Sequence, residues 1–136
     1  MSGDGRSAAE PSLGGHIVLV IEDHGDSRDL LVEFLHSLHA RALSARNIAE
    51  AEVQIALYRP HLIVCDMKLP DGTGFQFIEW LRRQSKPGAG TTPCIAITGH
   101  EEYSPVNAEI GFNAYLRKPI DLDRFRDLAV ALTRHA

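Results

Sequence analysis

The chain has 136 residues, of which 44% are hydrophobic and 24% are charged, and its formal net charge is −4. These values predict one soluble globular domain with a single core. The weak negative charge favours neither a nucleic-acid partner nor a membrane surface, and no apolar run reaches the roughly 18 residues of a membrane span. Two cysteines in apolar runs, Cys65 and Cys94, indicate buried thiols in a reduced, cytoplasmic setting.

Residues 1–15 are rich in Gly, Ser, Ala and Pro, which predicts a disordered tail or linker. The domain is therefore expected over residues 16–136. It opens with an apolar run over residues 16–21, which is typical of a strand buried in a parallel sheet. A polar turn follows, in which Asp26 or Ser27 is expected to cap a helix. The helix is predicted from an apolar stripe at helical spacing, which consists of Leu31, Phe34, Leu35 and Leu38.

Strands and helices continue to alternate through the middle of the chain. A short strand is predicted over residues 41–45, followed by a helix over 47–58 that begins with capping-box spacing. The next apolar strand runs over residues 62–65 and ends on Asp66. Turn-forming residues then lead into a helix that is predicted over about 74–84, because apolar residues lie on one side of it. This alternation is typical of repeated strand–helix units.

The last third of the chain repeats the pattern. A strand over 94–97 leads to Thr98, and a helix over 104–111 is predicted from Ser–Pro capping chemistry. A final strand over 113–116 precedes a last helix over 121–132. Five strand–helix units with apolar strands predict an α/β fold, (βα)5, in which helices cover both faces of a parallel sheet. Ligands bind such sheets at the carboxyl ends of the strands.

Five polar residues fall at that edge of the predicted sheet. Glu22 and Asp23 follow the first strand, Asp66 ends the third, Thr98 ends the fourth, and Lys118 follows the fifth. Neighbouring carboxylates repel each other, and a Mg²⁺ ion, which prefers oxygen ligands, removes that cost. A carboxylate can also accept a phosphoryl group, whose charge a lysine and a hydroxyl would stabilise. Each residue alone could be an ordinary turn, cap or surface residue, so the joint pattern carries the prediction.

With these pieces in place, the sequence resembles the response regulator receiver domains of bacterial two-component signalling. The matching segments are VLVIEDHGDSRDLL, LIVCDMKLPDGTGF, IAITGH and AYLRKPID, within a likeness that covers about residues 16–134. The resemblance implies a flavodoxin-like three-layer sandwich with a five-stranded parallel sheet of order 2-1-3-4-5. It also implies that the Lys118–Pro119 peptide is often cis.

The resemblance assigns the chemical centre residue by residue. Asp66 corresponds to the phosphorylated aspartate. Glu22 and Asp23 correspond to the acidic pair that holds Mg²⁺ together with Asp66, and the backbone carbonyl of Lys68 corresponds to a further ligand. The implied chemistry is transfer of a phosphoryl group from a kinase phosphohistidine to the aspartate, followed by slow hydrolysis.

The resemblance also assigns the residues that read out phosphorylation. Thr98 and Lys118 correspond to the hydroxyl and the lysine that close on the phosphoryl group, and Tyr115 corresponds to an aromatic switch. Gly99 leaves space beside the site for water or a small donor, and the Lys68 side chain lies where dephosphorylation is commonly modulated. The implied output is a population shift at a partner-binding surface.

The implied partners are a histidine kinase or phosphotransfer protein upstream and a protein effector or linked domain downstream. The chain is expected to be a stand-alone receiver, or the receiver part of a hybrid histidine kinase or multidomain regulator. It is not expected to be a classical enzyme, because it would assist only its own phosphorylation and slow dephosphorylation. We expect this chain to contact neither nucleic acid nor membrane.

The chain departs from the family in the stretch that follows Thr98, which is short and contains Pro105. The helix predicted over 104–111 is therefore expected to be short or displaced, which bears on partner binding and leaves a homodimer open. His24 and His100 lie near the pocket in sequence, but Mg²⁺ prefers oxygen ligands, so neither is assigned to the metal.

Other classes remain as alternatives. A pseudo-receiver would bind partners without phosphorylation, and the complete acidic set argues against it. A dehalogenase-type phosphatase also uses an aspartate nucleophile with Mg²⁺, but it would place a second Asp where this chain has Lys68. A flavodoxin-like cofactor binder would need a loop rich in Gly, Ser and Thr after the first strand, where this chain has EDHGDS.

Overall fold

Five parallel strands form one sheet in the computed structural model of the protein, which describes residues 12–84, 89–99 and 111–134. Numbered along the chain, they are β1 (Ile17–Ile21), β2 (Arg41–Ala45), β3 (Leu62–Asp66), β4 (Cys94–Thr98) and β5 (Ala114–Arg117). Their order across the sheet is β2-β1-β3-β4-β5. This is the predicted order, and it confirms the flavodoxin-like fold.

The central strands are apolar on both faces because helices cover both sides of the sheet. All five residues are buried in β3 and in β4, whereas the edge strands β2 and β5 are partly exposed. Asp66 pairs with Ile97 across β3 and β4, and Thr98 pairs with Arg117 across β4 and β5. The strands therefore end at the same edge, as predicted for the site.

In the described part of the chain, four α-helices form the outer layers: α1 (Gly25–Ser37), α2 (Ile48–Tyr58), α3 (Gly74–Arg82) and α4 (Leu122–Thr133). Leu35 of α1 and Phe125 of α4 pack in one core cluster, on one face of the sheet. Ile55 of α2 and Phe77 of α3 pack in a second cluster on the other face. The helices thus divide between the two faces, which gives the expected three layers.

The start of α1 differs from the prediction. His24 is the N-cap residue, its side chain makes no capping hydrogen bond within the described residues, and the helix begins at Gly25. The expected caps, Asp26 and Ser27, therefore lie inside the first turn. Asp26 still favours the helix because a carboxylate interacts well with the positive end of the helix dipole.

The start of α2 is capped from two places. Asn47 accepts the backbone N–H of Glu50 at 2.8 Å, as its spacing predicted. The Glu50 carboxylate binds Arg46 instead of returning to the cap residue. Asp71, from the loop after β3, accepts the N–H groups of Ile48 and Ala49 at 2.9 and 3.1 Å. The loop that follows Asp66 is therefore attached to α2.

A short antiparallel pair, Lys68–Leu69 with Gly72–Thr73, occupies the region predicted only as a turn. It leads directly into α3, where Thr73 and Gln76 form a reciprocal capping box. A 3-10 turn, Ala89–Thr91, precedes β4. Residues 104–110 of the predicted helix and His100 lie outside the described residues, and the Lys118–Pro119 peptide is cis, as expected.

The folded core extends further toward the N-terminus than predicted. Leu13, which the sequence placed in the tail, is fully buried, and its N–H donates to the carbonyl of Leu38 at 2.7 Å. Composition missed this contact because a single leucine among small and polar residues produces no periodic pattern. Within the described residues, no helix combines the length and hydropathy needed to cross a membrane.

We expect Leu13→Ala to lower the free energy of unfolding by about 2–5 kcal/mol, because it leaves a cavity in the core. Leu30→Ala is the matched control, since Leu30 is 55% exposed. That control should change stability by no more than about 0.5 kcal/mol. Urea unfolding followed by circular dichroism measures both variants, and equal effects would show that Leu13 does not belong to the cooperative core.

Candidate functional site

Three charged side chains meet where β1, β3 and β5 end. The Lys118 ammonium Nζ lies 2.9 Å from Asp66 Oδ2 and 3.3 Å from Glu22 Oε1. Both carboxylates are almost completely buried, whereas 30% of the Lys118 side chain is exposed. The predicted convergence of these residues is present in the structure. Two carboxylates share one ammonium, so the group carries a net negative charge.

Asp66 is held on both of its carboxylate oxygens. Oδ1 accepts the backbone N–H of Lys68 at 3.0 Å, and Oδ2 accepts the Lys118 ammonium at 2.9 Å. Its backbone continues β3, and the following Met67 N–H donates to the carbonyl of Ile97 in β4. The residue is 5% exposed, and these two hydrogen bonds give its carboxylate a defined direction.

Glu22 is 1% exposed and extends the β1 ladder, since its N–H donates to the carbonyl of Ala45. Its Oε2 accepts the backbone N–H of His24 at 3.0 Å. Oε1 is buried and has no well-formed hydrogen bond within the described residues, although the Lys118 ammonium is 3.3 Å away. A buried carboxylate oxygen without a donor costs free energy, and a cation bound there would remove that cost.

Opposing effects act on Lys118. Partial burial lowers the pKa of the ammonium group, but the hydrogen bond and negative charge of Asp66, together with Glu22, outweigh it. The pKa of Lys118 is therefore raised above its ordinary value, and the side chain stays charged. Its backbone N–H donates to the Thr98 carbonyl at 2.8 Å, which attaches it to the end of β4.

The remaining predicted residues surround this group at different depths. Thr98 is 7% exposed at the end of β4, and among the described residues a Cβ at Gly99 would meet only Lys118 Cδ, at 3.6 Å. Tyr115 is half-buried and packs edge-on against Phe112. Lys68 is exposed, and its N–H contacts Asp66. None of these positions conflicts with the roles expected from the sequence.

Asp23 is exposed, and its carboxylate is not part of the tight group around Asp66. Its carbonyl accepts a guanidinium N–H of Arg28, which also donates to the carbonyl of Glu22. Arg28 therefore fixes the backbone of the acidic loop and leaves the Asp23 side chain at the solvent boundary.

The structure adds His24, to which sequence reasoning gave no metal role. Its Nδ1 lies 3.4 Å from Glu22 Oε2. Ligand atoms of Glu22, His24 and Asp66 all lie within 4.8 Å of one another. In the sequence, the sign of this contact is that His24 lies two residues after Glu22 in a turn. That spacing predicts a contact only when the direction of the turn is known.

These residues fit a divalent cation. Glu22 and Asp66 offer oxygen ligands, the buried Glu22 Oε1 has no well-formed hydrogen bond within the described residues, and Lys118 neutralises only one of the two charges. Mg²⁺ binds proteins through one or two carboxylates and keeps several waters, which suits two buried carboxylates beside the partly exposed Lys118 and the exposed His24.

The two cysteines take no part in this group. Cys65 and Cys94 are free and completely buried. Burial raises the pKa of both thiols well above the ordinary range, so they remain protonated at neutral pH. The expectation of buried thiols is confirmed.

Comparison with known proteins identifies related sequences. The sequence model for the response regulator receiver domain matches residues 18–130. An uncharacterised 14.6 kDa protein of Leptolyngbya boryana is 37% identical over 106 residues, which cover 76% of this chain and 79% of that protein. The transcriptional regulatory protein KdpE of Escherichia coli is 33% identical over 88% of this chain, and this chain spans 52% of KdpE.

A further relative is longer than this chain. The response regulator PilR of Pseudomonas aeruginosa is 30% identical over 85% of this chain, but the match covers 26% of PilR. The chain therefore spans about half or less of these two regulators.

Solved structures agree with the sequence relatives. The signal receiver domain of a histidine kinase from Syntrophus aciditrophicus has a TM-score of 0.79 and 25% identity, and the match covers 90% of this chain and 92% of that one. The chemotaxis response regulator CheY4 of Vibrio cholerae has a TM-score of 0.77 at 23% identity and shares the fold, with 86% of this chain and 98% of that one covered.

We expect Lys118→Met to lower the free energy of unfolding by about 1–3 kcal/mol, because two buried carboxylates lose their counter-charge while water partly screens the site. Adding Asp66→Asn should recover part of that loss, and a double-mutant cycle from urea unfolding measures the coupling. Arg126→Met is the matched control, since Arg126 is 31% exposed but pairs with exposed aspartates. Its effect should stay below about 1 kcal/mol; equal losses in both single variants would contradict the buried pairing.

The raised pKa of Lys118 also predicts a pH dependence with a definite sign. Its contribution to stability is fully present below the unfolded pKa, about 10.4, and is lost as pH rises through the higher folded pKa. Other groups of the protein also contribute to the dependence of stability on alkaline pH, so the quantity to measure is the stability of the wild type minus that of Lys118→Met. This difference should shrink in the alkaline range, and a constant difference would contradict the assignment.

Proposed function

Because the chain belongs to the response regulator receiver domain family, we propose that it is a phosphorylation-controlled signalling switch whose phosphoacceptor is Asp66. Receiver domains are signalling parts of two-component systems and not classical enzymes. The observation that carries the proposal is the position of Asp66, buried at the end of β3 with Lys118 on one carboxylate oxygen and Glu22 beside it.

The proposed reaction is attack by a carboxylate oxygen of Asp66 on the phosphorus of a kinase phosphohistidine. An O–P bond forms while the N–P bond breaks, and its electron pair leaves with the imidazole. The Lys68 N–H and the Lys118 ammonium hold the carboxylate before the reaction, which lowers the entropy cost of reaching the reactive geometry. Hydrolysis later returns the carboxylate and inorganic phosphate.

Glu22, Asp23 and Asp66, with the backbone carbonyl of Lys68, would hold Mg²⁺, which receiver domains bind at an acidic pocket. When bound, the ion neutralises charge that develops on the phosphoryl oxygens. Support comes from the buried Glu22 Oε1, which has a cation 3.3 Å away but no well-formed hydrogen bond within the described part of the chain. The solvent-exposed Asp23 would complete the set through water or by rotation of its side chain.

The proposed readout uses Thr98, Lys118 and Tyr115. Thr98 and Lys118 are linked through the backbone hydrogen bond at the ends of β4 and β5, so a phosphoryl group that binds both would pull on these strands together. Tyr115 lies on β5 and contacts Phe112, so its ring can report a shift of that strand. The space beside Gly99 admits water or a small phosphodonor, and the exposed Lys68 side chain would modulate dephosphorylation.

The proposed partners are a histidine kinase or phosphotransfer protein and a downstream protein effector or linked domain. Related response regulators such as KdpE extend well beyond the region that matches this chain, which supports a receiver that acts through other parts of a protein or through a separate protein. The alternative of a phosphorylation-independent scaffold predicts no adduct in the experiment below.

Incubation with acetyl phosphate and Mg²⁺ should add one phosphoryl group to the intact mass of the wild type, and beryllofluoride should give the corresponding non-covalent complex. Asp66→Asn should abolish the mass gain because the amide is not a phosphoryl nucleophile. Asp71→Asn is the control, since Asp71 lies nearby but caps α2. An adduct that persists in Asp66→Asn, or that is missing from the folded wild type, would refute the proposal.

A further inference from the structure

We propose that the pocket of Glu22, His24 and Asp66 is a mixed nitrogen–oxygen metal site, in which His24 Nδ1 is a ligand that favours ions such as Co²⁺ and Zn²⁺ over Mg²⁺. The inference rests on the proposed function in that both use the same pocket. It adds a ligand and a metal selectivity that phosphoryl transfer does not require.

The first argument is the position of the ligand atoms. His24 Nδ1 is 3.4 Å from Glu22 Oε2, and the three residues offer ligand atoms within 4.8 Å of one another. Zinc–nitrogen and zinc–oxygen bonds are about 2.0–2.2 Å long, so neighbouring ligand atoms around one ion are typically separated by a few ångströms. Small side-chain rotations are therefore enough to bring the three atoms around one ion.

The second argument is that a buried oxygen of the proposed ligand Glu22 lacks a well-formed hydrogen bond within the described residues. Glu22 is 1% exposed, and its Oε1 has no well-formed hydrogen bond to any described residue. An acidic group alone would indicate little, but the Lys118 ammonium, 3.3 Å from this oxygen, is shared with Asp66, so one positive charge serves two buried carboxylates and a further cation is favoured at this place.

The third argument is that the backbone holds both ends of the chelate. Glu22 Oε2 accepts the N–H of His24, and Arg28 donates to the carbonyl of Glu22. His24 is the N-cap residue of α1, so its backbone is set by the start of the helix. Its side chain is 76% exposed and can turn toward the pocket without disturbing the core.

Charge and ligand chemistry then decide which ions are favoured. Glu22 and Asp66 carry two negative charges against the single ammonium of Lys118, so a divalent ion is attracted. An imidazole suits zinc, nickel, copper and cobalt, whereas Mg²⁺ prefers oxygen and dehydrates reluctantly. The same pocket should therefore bind Mg²⁺ through oxygen and water, and borderline ions with the additional bond to His24.

The experiment titrates tag-free full-length protein with Co²⁺ and separately with Mg²⁺. Visible absorption reports nitrogen coordination of Co²⁺, and calorimetry measures both affinities. His24→Ala removes the imidazole but no capping hydrogen bond of α1. It should weaken Co²⁺ binding by at least about tenfold, since loss of a group that merely supports a ligand already costs that much. Mg²⁺ affinity should not change.

His36→Ala is the matched control, because His36 is also an exposed histidine but lies in the last turn of α1. It should leave Co²⁺ binding at the wild-type level, and Glu22→Gln should weaken binding of both ions. His24→Asn tests the type of donor, since it restores an oxygen ligand without the imidazole, and the Co²⁺ absorption of the wild type should not return.

Wild-type Co²⁺ affinity in His24→Ala, or an equal loss in His36→Ala, would overturn the inference. These outcomes are separable from the failure of the proposed function. A protein that forms the Asp66 adduct with Mg²⁺ but binds Co²⁺ independently of His24 keeps the function and loses the inference. A protein that shows the His24-dependent Co²⁺ site but no adduct keeps the inference and loses the function.

Discussion

The structure depends on the burial of two carboxylates, Glu22 and Asp66, at the carboxyl edge of a parallel sheet. Glu22 follows β1 and Asp66 ends β3, two strands whose apolar side chains are almost all buried, so both carboxylates lie at the edge of the core and are themselves nearly covered. One ammonium, from Lys118, lies against both. Like charges held this close are costly unless a cation is present, and this constraint makes the edge sensitive to metal and phosphoryl binding.

The loop after Asp66 connects this edge of the sheet to two helices. Its first hydrogen bond joins the Lys68 N–H to the aspartate, and further along Asp71 caps the first turn of α2. Thr73 then begins α3 through a capping box. A short loop therefore connects the aspartate to the starts of two helices on the same face of the sheet. The loop is thus hydrogen-bonded to the aspartate at its start and to both helices further along.

The opposite end of α3 is held by the hydrogen bonds of one side chain, Arg82. The guanidinium of Arg82 donates to the carbonyls of Gly90, Thr92 and Gly111 and to the side chain of Asn113. Burial lowers the pKa of Arg82, yet the group remains charged because a guanidinium does not deprotonate in proteins. Arg82 thus holds the approach to β4 and the approach to β5 in one place, and these two strands end at Thr98 and lead to Lys118.

The amino-acid sequence by itself determined the alternation of strands and helices and the convergence of Glu22, Asp66 and Lys118, because apolar periodicity and the ends of parallel strands obey local rules. The order of the strands followed only from the resemblance to receiver domains, since periodicity does not say which strands are neighbours. Tertiary structure alone decided what depends on direction and distance. His24 faces Glu22, Asp23 stays in solvent, and Leu13 fills a gap beside α1. Such contacts join residues whose spacing along the chain carries no periodic signal, so they appear only when the packed sheet and helices bring them together.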